Sequence, residues 1–151
     1  KEIDHWVKKY PVDQKQSAVL AALRGVQHGN NGYLTTELMD AVADYLNMPK
    51  VAVYEVASFY SMFETKPVGR HSISVCTNIS CMLNGSDEIV SALEKHLGIK
   101  HGESTKDNRY YLKVEEECLA ACCGAPMMMV DHKYYEKLTP ESAIKIIGEL
   151  D

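Results

Sequence analysis

The positions of the cysteines constrain the fold of this 151-residue chain more than any other feature of its sequence. The five cysteines form two groups, Cys76 with Cys81, and Cys118 with Cys122 and Cys123. Each group follows a segment predicted to be a strand, His71–Cys76 or Tyr110–Val114, and a predicted helix lies between the two segments. Two strands joined through a helix lie parallel by a right-handed crossover, so both loops should leave the sheet at the same edge. The sequence therefore predicts that sulfurs from both groups converge.

The spacing of the cysteines favours an iron–sulfur cluster over a zinc ion. Cys76 and Cys81 have the spacing C-x4-C, whereas structural zinc sites often use the tighter C-x2-C. A two-iron cluster takes two cysteines on each iron, and a wider loop can straddle it. No histidine lies in either loop, which excludes a Rieske centre. Zinc and a chance grouping of core cysteines stay open as alternatives, and the spacing alone does not decide between Cys122 and Cys123 as the fourth ligand.

Hydrophobic periodicity predicts a helical first half. As far as about residue 62 the apolar residues recur with the period of a helix, and four short helices are expected there. Thr35 or Thr36 should cap one of these helices, and Pro49 should open the last. The apolar stripe of this last helix is assigned to the core, and its members are Val53, Val56, Phe59, Tyr60 and Phe63.

After Pro67 the periodicity changes to that of a mixed β-α-β-β-α unit. Its predicted strands are His71–Cys76, Tyr110–Val114, Met127–Val130 and Tyr134–Lys137, and its predicted helices run from Ser86 to about Leu97 and from Pro140 to about Glu149. This order is the minimal thioredoxin-like layout, although the C-x-x-C redox motif of thioredoxins is absent. The predicted fold class is therefore α+β or α/β, with a small helical bundle at residues 1–67 and a thioredoxin-like domain at residues 68–151.

Composition excludes several classes of protein. The content of 46% hydrophobic and 25% charged residues is that of a globular protein, and a net charge of −5 with dispersed basic residues gives no basis for nucleic-acid binding. The longest apolar runs are too short to span a bilayer, so no direct membrane insertion is expected. An odd number of cysteines without a secretory signal favours a reducing cytoplasm, where clustered cysteines bind metals or act in redox chemistry.

The cysteine motifs and their surroundings resemble one known family, the thioredoxin-like [2Fe–2S] E subunit of NADH:quinone oxidoreductase, which is the 24 kDa subunit of respiratory complex I. The matching motifs stand here as CTNISCMLNG, at Cys76–Gly85, and CLAACCGAP, at Cys118–Pro126. The likeness continues upstream in GYLTTELMDAVADYLNMP, VYEVASFYSMF and PVGRH, so it covers nearly the whole chain. It implies the [2Fe–2S] cofactor and a thioredoxin-like ferredoxin fold.

The resemblance also implies which sulfur is spare. The fourth cysteine of the family has two residues between it and Ala-Pro, which selects Cys122 here and leaves Cys123 free. The implied ligands of the cluster are Cys76, Cys81, Cys118 and Cys122. One departure is Ala120, where the family usually has glycine, and alanine is strained there if the position needs a positive φ.

The implied role is electron transfer beside a partner subunit, with no catalytic residue in this chain. The partner is an NADH-binding flavoprotein that holds FMN, together with other peripheral-arm subunits at the cytoplasmic face of the membrane in a bacterium. The alternatives are the equivalent subunit of an NAD-linked hydrogenase or formate dehydrogenase, and a zinc-stabilised interaction module without a redox role. The acidic run Glu115–Glu117 is predicted either to lower the reduction potential of the cluster or to be solvated and screened.

Overall fold

In the computed structural model the chain divides into two compact units, Lys1–Pro67 and Val68–Asp151. The structure describes residues 2–115 and 118–150, without the side chains of Val114 and Glu115. Within these ranges no helix is long and apolar enough to cross a membrane.

The first unit consists of helices only. Its α-helices are α1 (Glu2–Val7), α2 (Val19–Gly29), α3 (Thr36–Leu46) and α4 (Lys50–Phe59), and a 3₁₀ helix covers Val12–Ala18. The four predicted α-helices are therefore confirmed. The side chain of Thr35 caps α3 by accepting a hydrogen bond from the backbone N–H of Leu38 at 3.3 Å. Pro49 is the N-cap of α4 rather than a residue of its first turn, because its ψ of 134° is extended.

The core of this unit contains most, but not all, of the apolar stripe assigned to it. Val53 and Phe63 are buried, and Val56 and Tyr60 pack against the core. The prediction is wrong for Phe59, whose side chain is 79% exposed. The reason is that α4 ends at Phe59, four residues earlier than the periodicity predicts, and the chain becomes extended at Tyr60.

The second unit is a five-stranded sheet with helices. The strands are β1 (His71–Cys76), β2 (Glu103–Ser104), β3 (Tyr110–Glu115), β4 (Met128–Val130) and β5 (Lys133–Tyr135), and the helices are α5 (Ile79–Leu83), α6 (Ser86–Leu97) and α7 (Pro140–Gly148). The predicted fold class is confirmed, with two additions, the short strand β2 and the short helix α5. The sequence predicts that Thr139 caps α7 and that Pro140 lies in its first turn, and both are confirmed. The structure adds a capping box, which Thr139 forms with Ser142.

The strand order, β2-β3-β1-β4-β5, places β1 at the centre of the sheet. β1 pairs in parallel with β3, and β4 and β5 form an antiparallel hairpin, as predicted. The register aligns Cys76 with Glu115, so the two cysteine-bearing loops begin at the same edge of the sheet. The alternation of residues in His71–Cys76 is typical of a half-buried strand, and that expectation is wrong for β1. A central strand is covered on both faces, and Ser74 and Cys76 are buried as well.

Two local expectations about α6 meet different outcomes. The sequence predicts Ser86 as the cap of this helix, but the N-cap is Gly85, whose φ of 92° lies in the left-handed region. Ser86 is the first helical residue, and its buried Oγ has no hydrogen-bond partner among the described residues. The predicted end of the helix near Leu97 is confirmed, since Gly98 closes the helix with a φ of 68°.

Candidate metal centre

Cys76 and Cys81 lie on the inner side of the site. Cys76 is the last residue of β1, and its backbone N–H donates to the carbonyl of Met127 at 3.2 Å. Cys81 lies in α5, which begins after Asn78, whose side chain accepts a hydrogen bond from the backbone N–H of Ile79 at 2.9 Å. Both cysteines are only 2% exposed, so this pair is held in the interior.

Cys118 and Cys122 form the outer pair. Their sulfur atoms are 3.3 Å apart, and the backbone N–H of Ala120 donates to Sγ of Cys118 at 3.3 Å. Both side chains are exposed, and Cys122 opens a single 3₁₀ turn that ends at Gly124. A loop that directs a backbone N–H at a thiolate stabilises the negative charge on the sulfur.

Electrostatics link the two pairs. Burial, a hydrogen bond with Cys76 and the nearby charges of Cys76 and Cys118 together raise the pKa of the Cys81 thiol to about 11, while a backbone hydrogen bond from Met127 opposes the shift. Sulfurs from both loops therefore lie close enough to interact. Because thiolate ligands must lose their protons, this position favours a metal centre that supplies the positive charge a buried thiolate needs.

The arrangement of the sulfurs fits the ligand set of a two-iron cluster. The four predicted ligands form two pairs, Cys76 with Cys81 and Cys118 with Cys122. A [2Fe–2S] cluster needs two thiolates on each of its irons. A small apolar group completes the surroundings, with Met127 buried and Leu119, Ala121 and Ala125 packed against it.

Cys123 differs from the other cysteines. It is exposed, and within the described part of the chain no contact joins its sulfur to another cysteine. Its backbone follows Cys122 in the 3₁₀ turn, so its side chain leaves that turn in a different direction. The structure thus brings together Cys76, Cys81, Cys118 and Cys122 as two pairs.

The backbone of Ala120 has a φ of 62°, which is the left-handed conformation. The sequence predicts that alanine is strained here if the position requires a positive φ. The observed φ is positive, so Ala120 is strained. The conformation aims the N–H of Ala120 at Cys118, so the strain is a consequence of building the sulfur loop.

Ala120→Gly is therefore expected to stabilise the loop. Removing the Cβ relieves about 1–2 kcal/mol of left-handed strain, and the greater freedom of glycine in the unfolded chain offsets about half of it. We expect a gain of up to about 1 kcal/mol in the free energy of unfolding, measured by urea titration of the cluster-loaded protein. The matched control is Ala121→Gly at the next position, where φ is −111° and the same change should destabilise. A loss of stability with Ala120→Gly would contradict the assignment of strain.

Sequence reasoning missed the contacts that hold the outer loop. The hydroxyl of Tyr134, on β5, donates to the carbonyl of Leu119 at 2.8 Å. No local pattern reveals such a contact, because it depends on how the hairpin packs against the loop. The acidic run remains untested, since Glu116, Glu117 and the side chain of Glu115 lie outside the described residues.

A thioredoxin-like sheet that presents two cysteine pairs at one edge defines a class, the iron–sulfur proteins of thioredoxin type. The chain belongs to the thioredoxin-like [2Fe–2S] ferredoxin family, whose model matches residues 3–151. Membership carries the family's cofactor, a [2Fe–2S] cluster, and confirms that part of the prediction.

Relatives with known names share most of the chain. It is 46% identical over 144 residues to the NADH-quinone oxidoreductase E subunit of Rickettsia bellii, a match that covers 95% of this chain and 86% of the relative. It is 41% identical over 149 residues to the mitochondrial NADH dehydrogenase [ubiquinone] flavoprotein 2 of Dictyostelium discoideum, covering 99% of this chain and 60% of that protein. By name, the first relative is a subunit of an oxidoreductase and the second is an NADH dehydrogenase flavoprotein.

A solved structure shares the fold at low sequence identity. A chain of an NAD⁺-reducing [NiFe]-hydrogenase in the air-oxidized state matches with a TM-score of 0.73 and 21% identity, covering 87% of this chain and 22% of that chain. At this identity the match shows a common fold and nothing about the activity of the present chain.

Proposed function

We propose that this chain is the electron-transfer E subunit of an NADH:quinone oxidoreductase, with one [2Fe–2S] cluster bound by Cys76, Cys81, Cys118 and Cys122. The observation that carries the proposal is the convergence of two cysteine pairs at one sheet edge, with a Cys118–Cys122 sulfur separation of 3.3 Å. The relatives of about 46% identity support the particular complex. Membership in the ferredoxin family supports the cofactor.

When bound, the cluster supplies a one-electron couple. The residues of the chain provide its surroundings. Cys76 and Cys81 bind from the buried side, where the apolar contact with Met127 excludes water. Cys118 and Cys122 bind from the exposed side, where the N–H of Ala120 donates to one of the sulfurs. This side faces solvent in the single chain and is the shorter route for an electron that arrives from another protein.

In this proposal the chain carries electrons, and NADH is oxidised on a partner subunit. The partner is the FMN-containing, NADH-binding flavoprotein of the complex, and the other peripheral-arm subunits lie nearby. The site contains thiolates and backbone N–H groups, and its described residues include no pair of titratable groups suited to acid–base catalysis. If the source is bacterial, the location that goes with this proposal is the cytoplasmic face of the membrane, with the peripheral-arm subunits.

An equivalent role in an NAD-linked hydrogenase is the second candidate, and the observation in its favour is the common fold. The 21% identity to that chain supports the fold alone, whereas the 46% identity to the Rickettsia bellii relative extends over 95% of the present chain. We therefore favour the quinone oxidoreductase.

The proposal is tested with the purified chain. We expect an oxidised protein that absorbs visible light, and a reduced protein with the EPR signal of one [2Fe–2S]⁺ cluster and two irons per chain. A colourless protein that binds one zinc ion would support the interaction module instead. Co-purification of the flavoprotein, with the cluster reduced by NADH only in the complex, would support the proposed partner.

The helical unit offers a surface for that partner. Phe59 is 79% exposed and Val51 is 61% exposed, and both lie on α4. Met62, 53% exposed, follows in the chain after the helix ends. Large apolar side chains held in water are costly, and aromatic residues of this kind often supply most of the energy of an interface. We propose that this surface of Val51, Phe59 and Met62 contacts the flavoprotein subunit.

Phe59→Ser should weaken assembly without unfolding the chain. Truncating an aromatic anchor typically costs about 2 kcal/mol or more, so we expect the dissociation constant to rise by more than about tenfold in a titration with the flavoprotein subunit. The free energy of unfolding of the single chain should change little, because the side chain is already in water. Val12→Ser is the control, since Val12 is 94% exposed but lies in the 3₁₀ helix outside this surface. Equal effects of the two changes on binding would contradict the proposed surface.

A further inference from the structure

The segment that follows β5 is attached to the outer cysteine loop by its backbone. The N–H of Lys137 donates to the carbonyl of Gly124 at 2.7 Å, and the N–H of Leu138 donates to the carbonyl of Pro126 at 2.9 Å. These hydrogen bonds fix Glu136, which stands between β5 and Lys137, beside the loop that contains Cys122. The register supports the same placement, because Tyr135 pairs with Met128 and Val75 also pairs with Met128, one residue before Cys76.

The side chain of Glu136 lies directly on Gly124. A Cβ added at Gly124 would overlap the Glu136 carboxylate and would lie 2.6 Å from its Cγ, closer than any real Cβ contact. Gly124 does not have a positive φ, so backbone conformation does not explain the glycine. The carboxylate occupies the space that a Cβ at position 124 would fill, so a larger residue there would have to move the end of the Glu136 side chain.

The carboxylate of Glu136 forms no ion pair within the described part of the chain, although Lys137 is the next residue. Among the described residues no hydrogen bond or ion pair engages Glu136, in contrast to Asp131 of the same hairpin, which pairs with His71 at 2.6 Å. Gly124 is two residues from Cys122, which places a full negative charge within a short distance of the loop that bears the outer sulfur pair. An exposed carboxylate without a partner acts on its surroundings mainly through its charge.

We infer that Glu136 sets the reduction potential of the cluster, lowering it by holding a negative charge against the Cys122–Gly124 turn. The inference rests on the proposed cluster and its ligands. Reduction adds one electron to a centre that already carries four thiolates, so a fixed negative charge beside it disfavours the reduced state. Gly124 then leaves the space in which the carboxylate lies. Glu136 is a positioning residue, which acts on the cluster through its electric field and not as a ligand.

A series of charge changes tests the inference on the whole, cluster-loaded chain. Glu136→Gln keeps the shape of the side chain and removes its charge, and Glu136→Lys reverses the charge. We measure the variants by EPR redox titration at the midpoint potential of the wild-type cluster. There we expect Glu136→Gln to raise the ratio of reduced to oxidised cluster about three- to tenfold, and Glu136→Lys to raise it further. A tenfold change in this ratio corresponds to about 59 mV for a one-electron couple. The shifts should shrink at high salt, because Glu136 is exposed.

Glu149→Gln is the distant control, and it removes a carboxylate that is exposed like that of Glu136 but lies 4.0 Å from Nζ of Lys145. Glu149 follows α7 directly and lies at the opposite end of the sheet from the cysteines. The carbonyl of Ile147, in the last turn of α7, accepts a hydrogen bond from the hydroxyl of Tyr110, and Tyr110 pairs with His71 at the start of β1. His71 and Cys76 are separated by about 17 Å along β1 at the rise of an extended strand. The control removes the same charge and should leave the potential within error of the wild type.

The glycine gives a second, independent variant. Gly124→Ala should push the carboxylate away and shift the potential in the same direction as Glu136→Gln, and the double variant should shift it no further than the larger of the two single effects. The inference is overturned if Glu136→Gln and Glu136→Lys leave the reduction potential unchanged. It is also overturned if Glu149→Gln shifts the potential as much as Glu136→Gln does. Loss of the EPR signal from the wild type itself would overturn both the inference and the proposed function, whereas a normal signal with no shift overturns the inference alone.

Discussion

Replacing Cys122 by serine is expected to abolish binding of the cluster, whereas replacing Cys123 by serine should leave it intact. The two residues are adjacent and both exposed, so their substitution has similar consequences for folding. They differ in geometry, because Sγ of Cys122 is 3.3 Å from Sγ of Cys118 while Cys123 has no sulfur partner in the described part of the chain. A serine hydroxyl is a harder and far less acidic donor than a thiol, and it does not replace a thiolate on iron without a large loss of affinity.

The same loss is expected for serine at the other three predicted ligands. Iron content, visible absorption and the EPR signal of the reduced protein give the occupancy, and we expect less than about a tenth of the wild-type value for serine at position 76, 81, 118 or 122. A small remaining amount of cluster in these serine variants, with one oxygen ligand and a spectrum different from that of the wild type, also agrees with the assignment. A bleached Cys123→Ser protein together with an unchanged Cys122→Ser protein would show that the ligand set contains the wrong sulfur.

The arrangement of the sheet was predictable because short-range signals and a general rule agree. The alternating residues of His71–Cys76 predict a strand, the helix that follows imposes the crossover, and the parallel pairing with β3 is then the expected result. The cap of α7 at Thr139 was equally predictable, since it uses neighbours in sequence. The crossover rule also places both cysteine loops at one edge of the sheet.

The remaining errors have physical causes that sequence patterns do not contain. Helix α5 has five residues, too few for a hydrophobic period, and it carries Cys81 back toward Cys76. Phe59 has the residue type of the core, and its exposure follows from the early end of α4. Glu136 and Gly124 are far apart in sequence, and only the packing of the hairpin segment against the loop brings them together. The roles of the two units as independent folding domains stay predictions.

The second large effect is expected from Gly69→Ala, which acts on the sheet that places the sulfurs. A Cβ at Gly69 would lie 2.5 Å from the carbonyl oxygen of Tyr110 and 2.8 Å from the backbone nitrogen of Tyr111. These are backbone atoms at the start of β3, so no flexible side chain can move aside. The N–H of Gly69 also donates to Oγ of Ser104 at 3.0 Å, which holds the same segment in place. The chain must therefore separate from β3 just where the β1–β3 pairing begins.

We expect Gly69→Ala to lower the free energy of unfolding by about 2–4 kcal/mol, the range for overpacking against atoms that cannot relax. Urea titration of the cluster-free chain, followed by circular dichroism, measures the change without a contribution from bound metal. The control is Gly148→Ala in α7, where a Cβ meets nothing within 4 Å and alanine should stabilise the helix by up to about 1 kcal/mol. Because the β1–β3 register aligns Cys76 with the start of the outer cysteine loop, Gly69→Ala should also slow reconstitution of the cluster, whereas Gly148→Ala should not. A Gly69→Ala protein as stable as the Gly148→Ala control would mean that this close approach does not fix the position of β3.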